Sequence, residues 1–126
     1  MTIVTLAFST YTKIFKERIY TMNIQLTPLA KERLNTSLGV RPGYVKLFYD
    51  TEGCGCDGIT VLLIINEPDS GDIKVEAGLI PLLINPQQEI YYEEFMRLDA
   101  DPNYPSFKLS SNSMVYSTNV KIRDIR

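Results

Sequence analysis

The two cysteines of the chain stand one residue apart in YDTEGCGCDGIT, residues 49–60, among glycines and acids. Thiolate is the soft ligand that zinc, copper(I) and iron–sulfur clusters select. The spacing of Cys54 and Cys56 puts two sulfurs on one tight turn, and Gly53, Gly55 and Gly58 let the backbone take positive φ and approach a ligand closely. Two sulfurs fall short of the roughly four ligands taken by structural zinc or by each iron of a cluster. The remaining donors would be oxygens of Asp50, Glu52 or Asp57, a small thiol, or the sulfurs of a second copy across a two-fold axis, the commonest assembly. Cys54, Cys56 and Asp57 are therefore the candidate metal ligands, with a homodimer as one way to complete the set.

The neighbouring acids disfavour the free thiolate, whereas a bound cation reverses that balance, so metal or cluster holding is favoured over covalent catalysis. The chain contains no histidine, which excludes Cys-His and Ser-His nucleophilic mechanisms and removes the usual imidazole ligand. No enzymatic activity is expected. Two other readings of the loop stay open. The cysteines can be small buried fillers of a glycine-rich turn, since free cysteine is among the most buried residue types. They can also form a dithiol couple, whose disulfide would close a small strained ring and be easily reduced.

A chain of 126 residues with 44% apolar and 22% charged residues suits one soluble domain with a real core. The formal charge of −2 leaves no basic footprint for a nucleic acid, and no apolar run approaches the roughly 20 residues of a membrane span. The opening MTIVTLAF lacks the charged start and cleavage site of a signal peptide, so a cytoplasmic protein with reduced thiols is expected. Residues 1–21 read as an N-terminal extension. Tyr11, Ile14, Phe15 and Ile19 share a helical face beside Lys13, Lys16 and Arg18, which would make a short basic amphipathic helix, while Met22 offers itself equally as the functional start.

The elements that must position the cysteine loop begin at Met22. MNIQL predicts a strand. Thr27 then caps a helix with Pro28 at its first position, Ala30, Leu34 and Leu38 on one face, and Gly39 closing it in a left-handed conformation. Period-two alternation follows, with Val45, Leu47 and Tyr49 on one face and Tyr44, Lys46 and Phe48 on the other, in a strand that runs into the loop. Ile59 to Ile65 is continuous and β-branched, as in a central strand covered on both faces. EPDSGD turns the chain into a half-buried strand with Ile73, Val75 and Ala77 inward, and Pro81 marks the next apolar run as an edge or a bulge. Asn85 and Pro86 begin a short helical turn ahead of a strand at Phe95 to Leu98. SFKLS and NVKIRDI alternate again, with Val120, Ile122 and Ile125 inward. Tyr91, Tyr92, Glu93 and Glu94 read as packing and surface charge, and Pro102 to Pro105 as a rigid loop. The whole is an α+β domain dominated by β structure.

In that order, MNIQLTPLAKERLNTSLGV, YVKLFYDTEGCGCDG and FKLSSNSMVYSTNVKI resemble the HesB/IscA family, the A-type iron–sulfur assembly proteins, and within it the YqkB-like branch of Gram-positive bacteria. The resemblance runs from about Met22 to Arg123, in a domain taken as residues 22–126. It implies a β-rich unit of two small packed sheets or a half-barrel, with one helix near its start. It also implies an accessory protein of iron–sulfur cluster biogenesis that binds iron or a cluster, with the assembly machinery or apo-protein clients as partners. Cys54, preceded by Gly53, stands where the family has the cysteine of a GGCSG-like loop. Cys56 stands where the family usually has glycine. The family's second CGC, near its C-terminus, has no counterpart in RDIR after the NVKI strand. The alternative implied is a binding or scaffold module of the same fold without metal handling.

Overall fold

The computed structural model describes residues 22–52 and 58–126. The segment 1–21 and the loop residues Cys54, Cys56 and Asp57 lie outside the described residues, and so do the expectations that fall on them.

Strand β1 (Asn23–Leu26) leads into helix α1 (Pro28–Leu38), followed by β2 (Tyr44–Asp50), β3 (Ile59–Ile65), β4 (Ile73–Val75) and β5 (Leu82–Ile84). A 3-10 helical turn at Pro86–Tyr91 precedes β6 (Phe95–Ala100), β7 (Phe107–Ser111) and β8 (Val115–Asp124). The strands form one sheet in the order β1-β6-β7-β8-β3-β2-β5-β4. Its two ends meet. Ile24 N–H donates to the Glu76 carbonyl at 2.9 Å and Glu76 N–H to the Met22 carbonyl at 3.0 Å, so the sheet curls into a nearly closed barrel. The half containing β1, β6 and β7 and the half containing β3, β2, β5 and β4 are joined by β8, which pairs antiparallel with β7 and parallel with β3. A long strand shared by both halves is what turns two small sheets into one.

Helix α1 forms where expected. The Thr27 hydroxyl accepts from Ala30 N–H at 3.3 Å and donates to Asp99 Oδ1 at 2.8 Å, tying the cap to β6. That bond, followed by one from Ala100 N–H, holds the Asp99 carboxyl below the usual carboxylate range. Ala30, Leu34 and Leu38 face the core, which also contains Leu47, Leu62, Leu98, Phe107 and Val120. Gly39 has the expected positive φ, +63°, but its ψ of −145° lies in a region essentially reserved for glycine rather than in the left-handed helical one.

The far end of the chain finishes the helix. Arg126 donates to the carbonyls of Leu38 (2.8 Å), Arg41 (3.2 Å) and Ser37 (3.2 Å), satisfying oxygens that a helix C-terminus leaves without partners. Asp124 pairs with the same guanidinium at 2.7 Å, and the bond to Arg126 pulls its carboxyl down to about 2. An unfolded aspartate titrates at about 3.9. The depressed folded value means that this contribution is present above about pH 4 and is lost as pH falls towards 2. Arg126→Ala should therefore lower Tm at pH 7. Thermal melts should show the gap from wild type narrowing between pH 4 and 2 without vanishing, because the carbonyl contacts do not titrate.

Two expectations, for Pro81 and Ile125, are corrected, and Lys46 shows what alternation leaves open, since it lies on the face of β2 opposite Val45 and Leu47. It is buried, because the turn that follows β3 folds over that face and brings Asp69 and Asp72 onto its ammonium at 2.8 and 3.1 Å. Pro81 marks neither an edge strand nor a bulge. It sits just outside β5, which lies between β2 and β4, and its carbonyl accepts from Val45 N–H at 2.9 Å. Ile125 is 61% exposed rather than inward, because β8 ends at Asp124 and Arg126 turns back to cap the helix.

Candidate functional site

Strands β2 and β3 are antiparallel partners from Tyr44↔Ile65 to Asp50↔Ile59, so both ends of the cysteine-bearing segment leave the sheet side by side. The described residues around that exit are held firmly. Asp50 forms an ion pair with Arg123 of β8 at 2.8 Å. The side-chain amide of Gln88 acts as a neighbouring strand for Tyr49, donating to its carbonyl at 2.9 Å and accepting from its N–H at 3.0 Å. The ladder with β5 ends at Leu47↔Ile84, so Gln88 carries the pairing of β2 on to Tyr49, towards the loop.

Gly58 closes the exit. Its N–H donates to the Tyr49 hydroxyl at 3.1 Å, and a Cβ there would lie 2.6 Å from the Tyr49 ring and 2.8 Å from the Asp50 carbonyl oxygen. Only glycine lets the ring pack on the backbone at this point.

Beside Gly58 opens a pocket of about 530 Å³ between the tyrosines and β8. Tyr49 and Tyr91 stack with ring centroids 4.3 Å apart, and Tyr92 and Tyr116 meet at 5.9 Å in a tilted pair. The Tyr92 hydroxyl shares a hydrogen bond with Thr60 at 3.0 Å; burial pushes this phenol up to about 12, against the opposing pull of that bond. Tyr116 donates to Glu93 Oε2 at 2.8 Å, and burial followed by this carboxylate raises its pKa as well. Both phenols stay neutral at physiological pH, so they supply aromatic faces and hydrogen bonds rather than a base. Glu93 Oε2 also accepts from the hydroxyls of Ser111 and Ser113, and the bonds from Ser111, Ser113 and Tyr116 hold its carboxyl below the ordinary glutamate value.

Reading residues 91–94 as packing and surface charge fits Tyr92, which joins the core, and Tyr91, which stacks on Tyr49, while Glu93 also gathers the hydroxyls of Ser111, Ser113 and Tyr116. Adjacent residues on a strand or helical turn diverge, so sequence spacing carried no sign that Tyr49, Tyr91, Tyr92 and Tyr116 would converge from β2, the 3-10 turn and β8. Among the described residues no group of three His, Cys, Asp or Glu side chains is placed to hold a metal ion. Among them, too, no helix is long and apolar enough to cross a membrane.

The same arrangement of strands occurs in known proteins. A protein from Lactobacillus acidophilus assigned to Fe-S biosynthesis superposes with a TM-score of 0.66 at 17% identity, over 80% of this chain and 88% of the other. Escherichia coli SufA, involved in biosynthesis of iron-sulfur clusters, superposes with a TM-score of 0.55 at 23% identity, over 69% and 78% of the two chains. These likenesses concern the fold. In sequence, the uncharacterized protein YqkB of Bacillus subtilis (strain 168) is 30% identical over 104 residues, 80% of this chain and 97% of the relative. The model of the iron-sulphur cluster biosynthesis family matches residues 22–124, from the first strand of the barrel to the last and across both cysteines. With the barrel, the order of its elements and nearly its whole length accounted for in this way, the chain belongs to the iron-sulphur cluster biosynthesis family.

Proposed function

We propose that this protein is a non-enzymatic accessory of iron–sulfur cluster biogenesis that takes iron or a cluster as cargo through Cys54, Cys56 and Asp57, at the end of the β2–β3 hairpin. The observation that supports this reading is the register Asp50↔Ile59. It anchors both ends of the connecting segment at one end of the barrel, and at full chain reach of about 3.5 Å per residue neither cysteine can stray more than ~15 Å from that anchor. The loop carries both cysteines of the chain, the thiolate donors that iron and its clusters select. Two thiolates and a carboxylate leave a cluster short of donors, and a second copy of the loop across a two-fold axis completes the set. The protein then works in the cytoplasm, receiving cargo from the assembly machinery or passing it to apo-protein clients.

Anaerobic reconstitution with iron and sulfide tests this reading. Wild type should retain both, with a visible charge-transfer spectrum and a shift to dimer in size-exclusion chromatography with light scattering. Cys54→Ser/Cys56→Ser should retain neither and stay monomeric. Uptake that ignores the double substitution, or no uptake at all, would refute cargo binding by these residues and leave a scaffold module of the same fold.

A further inference from the structure

We propose that the pocket between the tyrosines and β8 is a binding site for a small aromatic carboxylate. This goes beyond the handling of iron or a cluster and does not depend on it.

The charge of the lining is the first observation. The chain as a whole is acidic, with a formal charge of −2, yet among the described residues the pocket is lined by two cations, Lys121 and Arg123, and by no carboxylate. Arg123 is already committed to Asp50 at 2.8 Å. Lys121 is exposed and takes no part in any of the ion pairs among the described residues. Among the described residues one of these cations is therefore paired within the chain and the other is left for an external anion.

The second observation is what surrounds that ammonium. Tyr91 stacks on Tyr49 with one side and remains 42% exposed, so the pair presents an aromatic surface on which a planar ring can continue the stack. Met114 at the rim is 52% exposed and offers a polarisable thioether to the same ring. Ser117 and Asn119 lie on the same strand as Lys121 and supply further hydrogen-bonding groups to a carboxylate. A volume of about 530 Å³ falls within the roughly 300–1,000 Å³ of small-molecule sites. Aromatic walls with a few converging polar groups and one unpaired cation match a ligand with a flat apolar body and a single negative end. They do not match a multiply charged phosphate, which would need several charged donors where the described lining offers Lys121.

The walls are also rigid. Tyr49 is pinned by Gly58 and Gln88, Tyr92 by Thr60, and Tyr116 by Glu93. A pre-formed site loses little entropy on binding.

The test titrates the full chain with benzoate, following amide shifts by NMR and tyrosine fluorescence, in parallel with benzylamine, cyclohexanecarboxylate and inorganic phosphate. Benzoate should give saturable shifts centred on Ser117 to Lys121 and on Tyr91, cyclohexanecarboxylate should bind more weakly, and benzylamine and phosphate should not compete. Lys121→Gln, a change of an exposed side chain, should weaken benzoate about tenfold, the equivalent of losing one charge-assisted hydrogen bond. Tyr91→Leu should erase the preference for benzoate over cyclohexanecarboxylate. Absence of saturable benzoate binding at millimolar concentration, equal binding of benzylamine or phosphate, or indifference to Lys121→Gln would each overturn the assignment.

Discussion

Replacing Lys46 with methionine should destabilise the protein by about 3–5 kcal/mol, lowering Tm by roughly 10–20 °C. Methionine matches the volume and apolar stem of lysine, so packing alone predicts little loss. The cost arises from what is left behind. The Asp72 side chain is completely inaccessible, and its Oδ1 has the Lys46 ammonium 3.1 Å away as an ionic neighbour but makes no hydrogen bond of its own. Without Lys46 that carboxylate is a buried charge with no counter-ion, whereas Asp69, 70% exposed on the same ammonium, can turn to water. Burial works against the Lys46 charge, but the hydrogen bond to Asp69 and the attraction of both carboxylates outweigh it and hold the pKa above the ordinary lysine value. A pKa raised on folding gives a contribution that is complete below the unfolded value near 10.4 and is lost only as pH rises through the folded one. The full effect is therefore present at pH 7. Urea unfolding of Lys46→Met and of Lys46→Met/Asp72→Asn checks it. The double variant keeps the acceptor that Asp72 Oδ2 offers to Asp69 N–H and removes the stranded charge, so it should recover much of the loss. Equal stability of wild type and Lys46→Met would refute the account.

Lys46 also shows where reading a sequence by period reaches its limit. Alternation in β2 located the strand and set Val45 and Leu47 on one face, because a period of two is a local property of extended backbone. Whether the other face meets water depends on what covers it. The cover is the turn carrying Asp69 and Asp72, whose path is set by Gly71 at φ +88° and by the pairing of β4 with β5. Helix α1 was legible down to its cap, since Thr27, Pro28, the four-residue spacing of apolar positions and Gly39 all act within one stretch of chain. The closure of the barrel was not legible. It rests on two hydrogen bonds between Met22–Ile24 and Glu76, more than fifty positions apart, made by backbone groups that every residue carries. Alternation and turn residues gave a β-dominated set of strands, and the family resemblance supplied their arrangement as packed sheets or a half-barrel. For the site, the cysteine pair announced itself through rare residue types at close spacing. The tyrosine pocket did not, because its members are common residues brought together from β2, the 3-10 turn, β3 and β8.

Gly58→Ala should cost about 1–3 kcal/mol and disturb the pocket and the root of the cysteine loop together. One methyl group has this reach because of where it would fall. The added carbon would sit 2.6 Å from the Tyr49 ring and 2.8 Å from the Asp50 carbonyl, closer than real side chains approach either. A flexible side-chain end could swing away, but this is the body of a ring stacked on Tyr91, whose hydroxyl receives the Gly58 N–H, and a carbonyl at the end of the β2–β3 ladder. Tyr49 has to leave, and the stacked wall goes with it. The cost is steric rather than conformational, since Gly58 is not among the residues of positive φ. Gly71, with positive φ and open space around it, would respond to alanine through backbone strain alone and leave the pocket unchanged. Thermal melts give the stability change, and the Tyr91 and Lys121 amide resonances report the pocket. Tyr49→Ala in the Gly58→Ala background should cost less than the sum of the single changes, because the ring that collides is gone, while the contact with the Asp50 carbonyl keeps the relief partial. Strict additivity, or a Gly58→Ala protein with an undisturbed pocket, would mean that the ring is free to move. In the structure this ring joins the hairpin to the tyrosines, so loop and pocket should respond as one unit whenever either is changed.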